Sequence, residues 1–339
     1  MGRRGPAAGC GGLSSFYNGY KVERDGAMPG FIRFPLFGPG AVHGLDGRAQ
    51  EVRKNALADM AYDDERAARF SELVAGELEG MLGDWARSGT GTVYDDTTTA
   101  FGRAAFRWAG LPLAPAEPDS VLAAMVDLRD PDGAAVDDRT AAVELQNLTR
   151  PTVAVAWFAA FAAVALTGNP GWAARIREAS SAAGRLSDVP EAVAFAREVR
   201  RVYPFVPMLT AMATSDFEVH GCPVRRGERV LLDLLGTDTD PNHWDDASTF
   251  DPERSMGVAD AEQLEAFVPQ GGAGVRTGHR CPGEKLAVAA LSAAVAAMCR
   301  PEVRISRDPD DLTFPWTRML TRPATGVRVS WQDQGSPTG

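Results

Sequence analysis

Phe267-Val-Pro-Gln-Gly-Gly-Ala-Gly-Val-Arg-Thr-Gly-His-Arg-Cys-Pro-Gly-Glu284 sets one cysteine behind a glycine-rich loop and at the head of an apolar, alanine-rich stretch, 282–298. At a helix start, free backbone N–H groups and the positive end of the dipole favour a thiolate over a thiol. Pro282 in the first turn costs no hydrogen bond. Gly271, Gly272, Gly274, Gly278 and Gly283 let the backbone approach something flat, and His279 and Arg280 add donors for anionic groups. A buried cysteine at a helix cap would account for Cys-Pro-Gly alone. The longer segment suits a flat ligand with anionic edges.

Outward from this segment, helical patterning dominates. Amphipathic, alanine-rich stretches cover 64–85, 136–166, 191–202 and 282–298. Strand-like material is short: 216–220, 229–234 after the turn residues Arg226-Gly227, and 327–331. The reading is a mainly α protein with a small β region. No repeat of fixed period is visible, and the Gly-Pro-Asp-rich linkers 113–120 and 238–252 separate helices within one domain. That domain is expected over 16–331, between unpatterned tails 1–15 and 332–339.

Three further places carry candidate chemistry. Glu198 and Arg201 lie three apart on one helical face, close enough to pair. The helical stretch 136–166 is interrupted by Thr149-Arg150-Pro151, where the proline removes a backbone hydrogen bond and invites a kink, setting Arg150 against an apolar stripe. A separate helix starting at Pro151, with Arg150 in solvent, fits the same residues. His43 sits in the loop Leu36-Phe-Gly-Pro-Gly-Ala-Val-His-Gly-Leu-Asp-Gly47; exposed loop or ligand pocket, the sequence alone allows both. In Tyr203-Pro-Phe-Val-Pro207, Phe205 would either pack in the core or line a channel.

The segment 267–284 resembles the haem-binding loop of the cytochrome P-450 family. Pro-Gln-Gly-Gly followed by Gly-His-Arg-Cys-Pro-Gly-Glu is similar to that family's fatty-acid peroxygenase branch. Phe16-Tyr17, Arg24-Asp-Gly-Ala-Met-Pro29, Leu234-Leu-Gly-Thr237 and Asp240-Pro-Asn-His-Trp244 extend the resemblance along the chain. It implies a cytochrome P-450 fold, shortened, with haem b (iron protoporphyrin IX) held between a long kinked helix and the Cys281 loop. Cys281 would ligate the iron, and Gln50, Lys54, His279 and Arg280 would meet the propionates, with Arg53 an alternative to Lys54. Glu198, Arg201 and Arg254 would form a buried structural network, since a buried arginine must be paired to be tolerated.

Arg150-Pro151 stands where monooxygenase members carry an acid and alcohol pair, a replacement that looks like the mark of the peroxygenase branch. A permanent cation there can hold a carboxylate bidentately. The implied activity is oxidation of fatty acids by hydrogen peroxide, hydroxylating the α or β carbon or decarboxylating, with Arg150 and His43 catalytic, Arg150, Pro151 and Phe205 contacting substrate, and no redox partner required. A degenerate haem-binding protein and a reductase-dependent monooxygenase are the alternative readings. The chain departs from the family in having little before Phe16-Tyr17 and only a short stretch, 113–135, where relatives build the roof of the substrate channel. A wide, wet distal pocket is the expected result.

Composition narrows the partners. A formal net charge of −10 argues against nucleic acid or an anionic membrane. The longest apolar run, 153–166, is fourteen residues, too short to span a bilayer. Met1-Gly-Arg-Arg has no apolar segment behind it to make a secretory signal, and Cys10, Cys222, Cys281 and Cys299 lack paired spacing. A soluble, cytoplasmic protein with reduced thiols is expected.

Overall fold

The computed structural model describes residues 6–7, 10–111, 121–260, 264, 266–314 and 320–333. Its helices are α1 (Cys10–Phe16), α2 (Gly30–Phe37), α3 (Gly47–Ala61), α4 (Asp64–Ser88), α5 (Val93–Ala109), α6 (Val121–Val126), α7 (Asp138–Gly168), α8 (Pro170–Ala183), α9 (Pro190–Val202), α10 (Leu234–Asp238) and α11 (Glu284–Met298). The strands are β1 (Pro6–Ala7), β2 (Val22–Glu23), β3 (Thr90–Thr92), β4 (Met208–Ala213), β5 (Phe217–Val219), β6 (Cys222–Val224), β7 (Arg229–Asp233), β8 (Val303–Ile305) and β9 (Arg328–Trp331). The mainly α architecture with a small β region is the one expected. The linker 113–120 and the tail residues 1–5, 8–9 and 334–339 lie outside the described residues.

The helices begin and end where local chemistry says they should. Asp63 caps α4 by accepting the N–H of Arg66, and Gly89 closes it in the left-handed region at φ +76°. Asp137 caps α7 through the N–H groups of Arg139 and Thr140. Pro170 and Pro190 open α8 and α9, positions where a missing N–H is harmless.

α7 and α11 form the centre. From Val155 to Leu166 nearly every α7 residue is buried, and α11 is buried along most of its length because alanine on all sides lets neighbours come close. α7 packs on α5 and α11, and α11 on α4 and α9. By length and composition α7 could cross a membrane, but 61% of its most apolar window is covered by other helices. It is a core helix here, longer than the fourteen-residue run suggested.

α7 runs unbroken through Pro151. The proline has no N–H for the carbonyl of Asn147, while on either side the hydroxyls of Thr149 and Thr152 turn back to the carbonyls of Leu145 and Leu148, at 3.0 and 3.3 Å.

A second, smaller core lies under the sheet ordered β1-β7-β4-β2. Leu13 and Phe16 of α1 are buried in it. This corrects the expected tail: residues 10–15 are helical, and β1 pairs in parallel with Leu231 and Leu232 of β7. The physical reason is that Leu13 and Phe16, three apart, give even a glycine-rich helix an apolar edge to bury. β3, β9 and β8 form a second sheet, and β5 and β6 a hairpin whose turn residues His220 and Gly221 both have positive φ.

Candidate functional site

Between α7 and the loop that precedes α11 lies a cavity of about 220 Å³, open to solvent on one side. One wall is Cys281, Pro282, Gly283 and Ala287; the facing wall is Asn147, Leu148, Pro151, Thr152 and Val155 of α7. Phe37, Val42 and His43 close one side, Phe205, Val206 and Leu209 another, and Gln50, Lys54 and His279 make a polar rim. A slot with a thiol in one face, an apolar opposite face and donors at one edge suits a flat apolar macrocycle with anionic edges, and these residues therefore fit haem.

The loop is shaped by its glycines. Gly271 has φ +92°, and a Cβ there would come within 2.7 Å of the His279 carbonyl oxygen. A Cβ on Gly278 would meet that of Ala273 at 2.4 Å. The Cys281 N–H donates to the Gln270 carbonyl at 3.1 Å. Burial pushes the Cys281 thiol up, and the ammonium of Lys54 and the N–H of Gly283 oppose it. Gly271→Ala should cost about 1–3 kcal/mol from strained backbone and a displaced His279 carbonyl, read as a lower denaturation midpoint.

The loop alternates. His279 and Cys281 line the cavity, whereas the Arg280 side chain between them turns to the protein interior and pairs with Glu284. Arg280, expected among the propionate contacts, is thus a structural residue, because the carboxylate of Glu284 in the first turn of α11 takes its guanidinium. Lys54 stays at the rim and donates to the Arg280 carbonyl at 2.5 Å; burial brings its ammonium down to about 8, with Cys281 opposing. Gln50 donates to the Gly278 carbonyl at 3.3 Å. Burial, then Arg24 and Lys54, push His279 down to about 3, and its ring stacks 6.1 Å from that of Tyr17. Arg53, the alternative to Lys54, points elsewhere: it pairs with Asp130 at 2.6 Å and Glu144 at 3.5 Å.

His43 opens onto the cavity, stacked on Phe37 with ring centres 4.1 Å apart. The residue has exposed surface, but the protein atoms packed around it displace water, and this, then the cations Lys54 and Arg150, holds it neutral, pushed down to about 3. Its turn is fixed by Glu144, a residue sequence reasoning passed over, which accepts the Val42 N–H at 2.8 Å. Asn147 likewise donates to the Phe37 carbonyl at 3.0 Å. Both lie one turn apart on the face of α7 that carries Leu148, a spacing that could have flagged them. Arg150 is half-buried and not among the residues lining the cavity; it stands between the lining residues Asn147 and Pro151 and donates to Asn147 at 3.4 Å. Phe205 lines the cavity and stacks on Phe158 at 4.6 Å, serving wall and core together.

Behind the loop, Arg201 donates to Glu198 through Nε at 2.9 Å and Nη2 at 2.7 Å, and to the carbonyls of Asp238, Ala247 and Thr249. Arg254 stands 3.7 Å from Glu198, and the Asp251 N–H donates to the same carboxylate at 2.9 Å. The three residues expected as a network are therefore brought together.

Residues 174–325 match the family pattern described as Cytochrome P450. The fold is similar to that of cytochrome P450SP alpha (CYP152B1) in complex with (R)-ibuprophen, with a TM-score of 0.84 and 29% identity, covering 96% of this chain and 90% of that one. This chain belongs to the cytochrome P450 family. The P450 fold is also that of ligand-free cytochrome P450 OleT, at a TM-score of 0.85 and 24% identity over 96% of this chain and 87% of that one. Among curated P450 relatives, probable cytochrome P450 4s3 of Drosophila melanogaster is 30% identical over 173 residues, 50% of this chain and 34% of that protein. Cytochrome P450 76C1 of Arabidopsis thaliana is 33% identical over 153 residues, 42% of this chain and 29% of that protein. This P450 chain thus spans about a third of the length of the curated relatives it matches.

Proposed function

We propose that this P450 binds haem b through Cys281 and uses hydrogen peroxide to oxidise fatty acids, hydroxylating the α or β carbon or decarboxylating. The observation that carries the reading is Arg150-Pro151 in α7, where Pro151 lines the cavity with Cys281 and Arg150 lies near enough to the lining residue His43 to act on its charge. The haem, when bound, supplies thiolate-assisted cleavage of the peroxide O–O bond. Everything else is asked of the chain. Arg150, steadied by Asn147, holds the substrate carboxylate. The anchored carboxylate then serves as the acid-base group that the helix lacks, taking and returning a proton beside the peroxide.

His43, kept neutral among cations, offers one ring nitrogen as donor and the other as acceptor at the same edge. Leu148, Val155 and Phe205 keep the alkyl chain dry. That cytochrome P450SP alpha, of similar fold, forms a complex with (R)-ibuprophen, a carboxylic acid, supports a carboxylate as ligand. No reductase is needed if the substrate supplies the acid.

The deciding experiment adds a fatty acid to the haem-loaded protein and follows binding by the change in haem absorption, then peroxide-driven turnover. Arg150→Ala should weaken binding about 10–150-fold, the equivalent of a charged hydrogen bond worth about 1.5–3 kcal/mol, and turnover should fall with it. Unchanged affinity would sink the carboxylate anchor. Turnover with a reductase but none with peroxide would make the protein a conventional monooxygenase, and haem binding without either would leave a non-catalytic haem protein.

A further inference from the structure

Glu198-Val-Arg-Arg201 carries two adjacent arginines, and the fold sends them to different work. Arg201 holds the scaffold: Glu198 and three carbonyls of the segment 238–249. Arg200, about 100° further round α9, is equally buried at 1% exposure and takes neither. Its Nη2 donates to Gln270 Oε1 at 2.8 Å and to Glu284 Oε1 at 2.6 Å.

Gln270 and Glu284 bracket Cys281. The Gln270 carbonyl accepts the Cys281 N–H at 3.1 Å, and the Glu284 N–H donates to the Cys281 carbonyl at 3.3 Å. Arg200 therefore ties the incoming and outgoing ends of the ligand segment to one point. It does so expensively: its Nε and Nη1 are buried without an acceptor among the described residues, and the guanidinium lies 5.2 Å over the Phe267 ring. A buried ion pair is commonly replaceable by well-packed apolar side chains with no loss of stability. Keeping an incompletely satisfied cation here is explained if its charge acts on a neighbour, and the two residues it holds are the ones hydrogen-bonded to the backbone of Cys281.

We propose that Arg200 is a positioning residue for the thiolate: it fixes both ends of the 270–284 segment and sets a permanent positive charge near Cys281 that raises the reduction potential of iron bound there. The inference rests on haem ligation by Cys281, so the test separates the two. Haem-loaded variants are titrated potentiometrically, and their ferrous carbon-monoxide spectra recorded. Arg200→Gln removes a positive charge and should shift the ferric-to-ferrous ratio about tenfold toward ferric, about 59 mV for one electron. Glu284→Gln removes a negative charge from the same cluster and should shift it the other way. Arg200→Lys keeps the charge and should keep the potential, while the thiolate band broadens as one arm of the clamp is lost.

If Arg200→Gln does not fold, the opposite-signed response of Glu284→Gln and the unmoved potential of Arg200→Lys still decide. Potentials that stay at the wild-type value in both charge variants, or move together, overturn the proposal. A thiolate band surviving in Cys281→Ala would instead remove the ligand assignment, and the role of Arg200 with it.

Discussion

Cys281→Ala, supplied with haem, should lose the whole red-shifted thiolate band of its ferrous carbon-monoxide complex and all peroxide-driven turnover, while the apoprotein unfolds within about 1.5 kcal/mol of wild type. The side chain lines a cavity rather than filling the core, so little packing is lost with its sulfur. Cys222 and Cys299 cannot stand in: Cys222 is exposed on β6, and Cys299 is buried beyond the far end of α11, its thiol pushed up to about 12 by burial. Absorption spectroscopy and a urea titration on the same preparation give both halves of the result. A variant that keeps the thiolate band would show that another group ligates the iron.

Glu198→Ala should be the most destabilising of the single changes considered. It strips the carboxylate from Arg201, which is 1% exposed, and from the Asp251 N–H, and leaves Arg254 without its acid. Removing one partner of a buried pair leaves a charge in a medium that cannot solvate it, at a cost of about 3–5 kcal/mol. Against a total stability of about 5–15 kcal/mol for a folded protein, that is enough to populate the unfolded state at ordinary temperatures. Glu198→Gln, which keeps an acceptor but loses the charge, should fall between. The measurement is the denaturation midpoint of the apoprotein, where haem affinity cannot mask the change. A loss under about 1 kcal/mol would mean that the three carbonyls on Arg201 suffice by themselves.

The legible parts of this chain were those whose signal is local. α4, α7, α9 and α11 follow from apolar periodicity, and their ends lie within a few residues of the expected ones. The loop 267–284 was legible because glycine, proline and cysteine restrict backbone and chemistry at fixed offsets. β4 was not, since Met208–Ala213 follows a proline-rich run and alternates weakly; it is a strand because β7 and β2 pair with it on either side. α5 was equally hidden: Thr97, Thr98 and Thr99 are poor helix formers, and here their hydroxyls bond back to Val93, Tyr94 and Asp95 while the helix packs on α7.

Within the site, the residues named by motif line the cavity except Arg280, which is turned onto Glu284, and Arg150, which stands beside the lining residues Asn147 and Pro151. Glu144, Asn147 and Arg200 escaped notice for a common reason. Each acts through partners a hundred or so residues away or through a backbone carbonyl, and neither kind of partner leaves a mark at short range.

Pairing between distant segments also sets a timetable for the newly made chain. Thr90 of β3 meets Ser330 of β9, and Val22 of β2 meets Ala213 of β4. At about 5–20 residues per second on the ribosome, roughly 10–50 s separate the emergence of Thr90 from that of its partner. Over part of that interval α7 is complete while α11, which covers its apolar flank, has not yet been translated. The nascent chain therefore carries, for seconds, an aliphatic helix open on the flank that α11 will cover, a natural substrate for chaperones, and the slot between α7 and Cys281 can exist only after synthesis has passed residue 287.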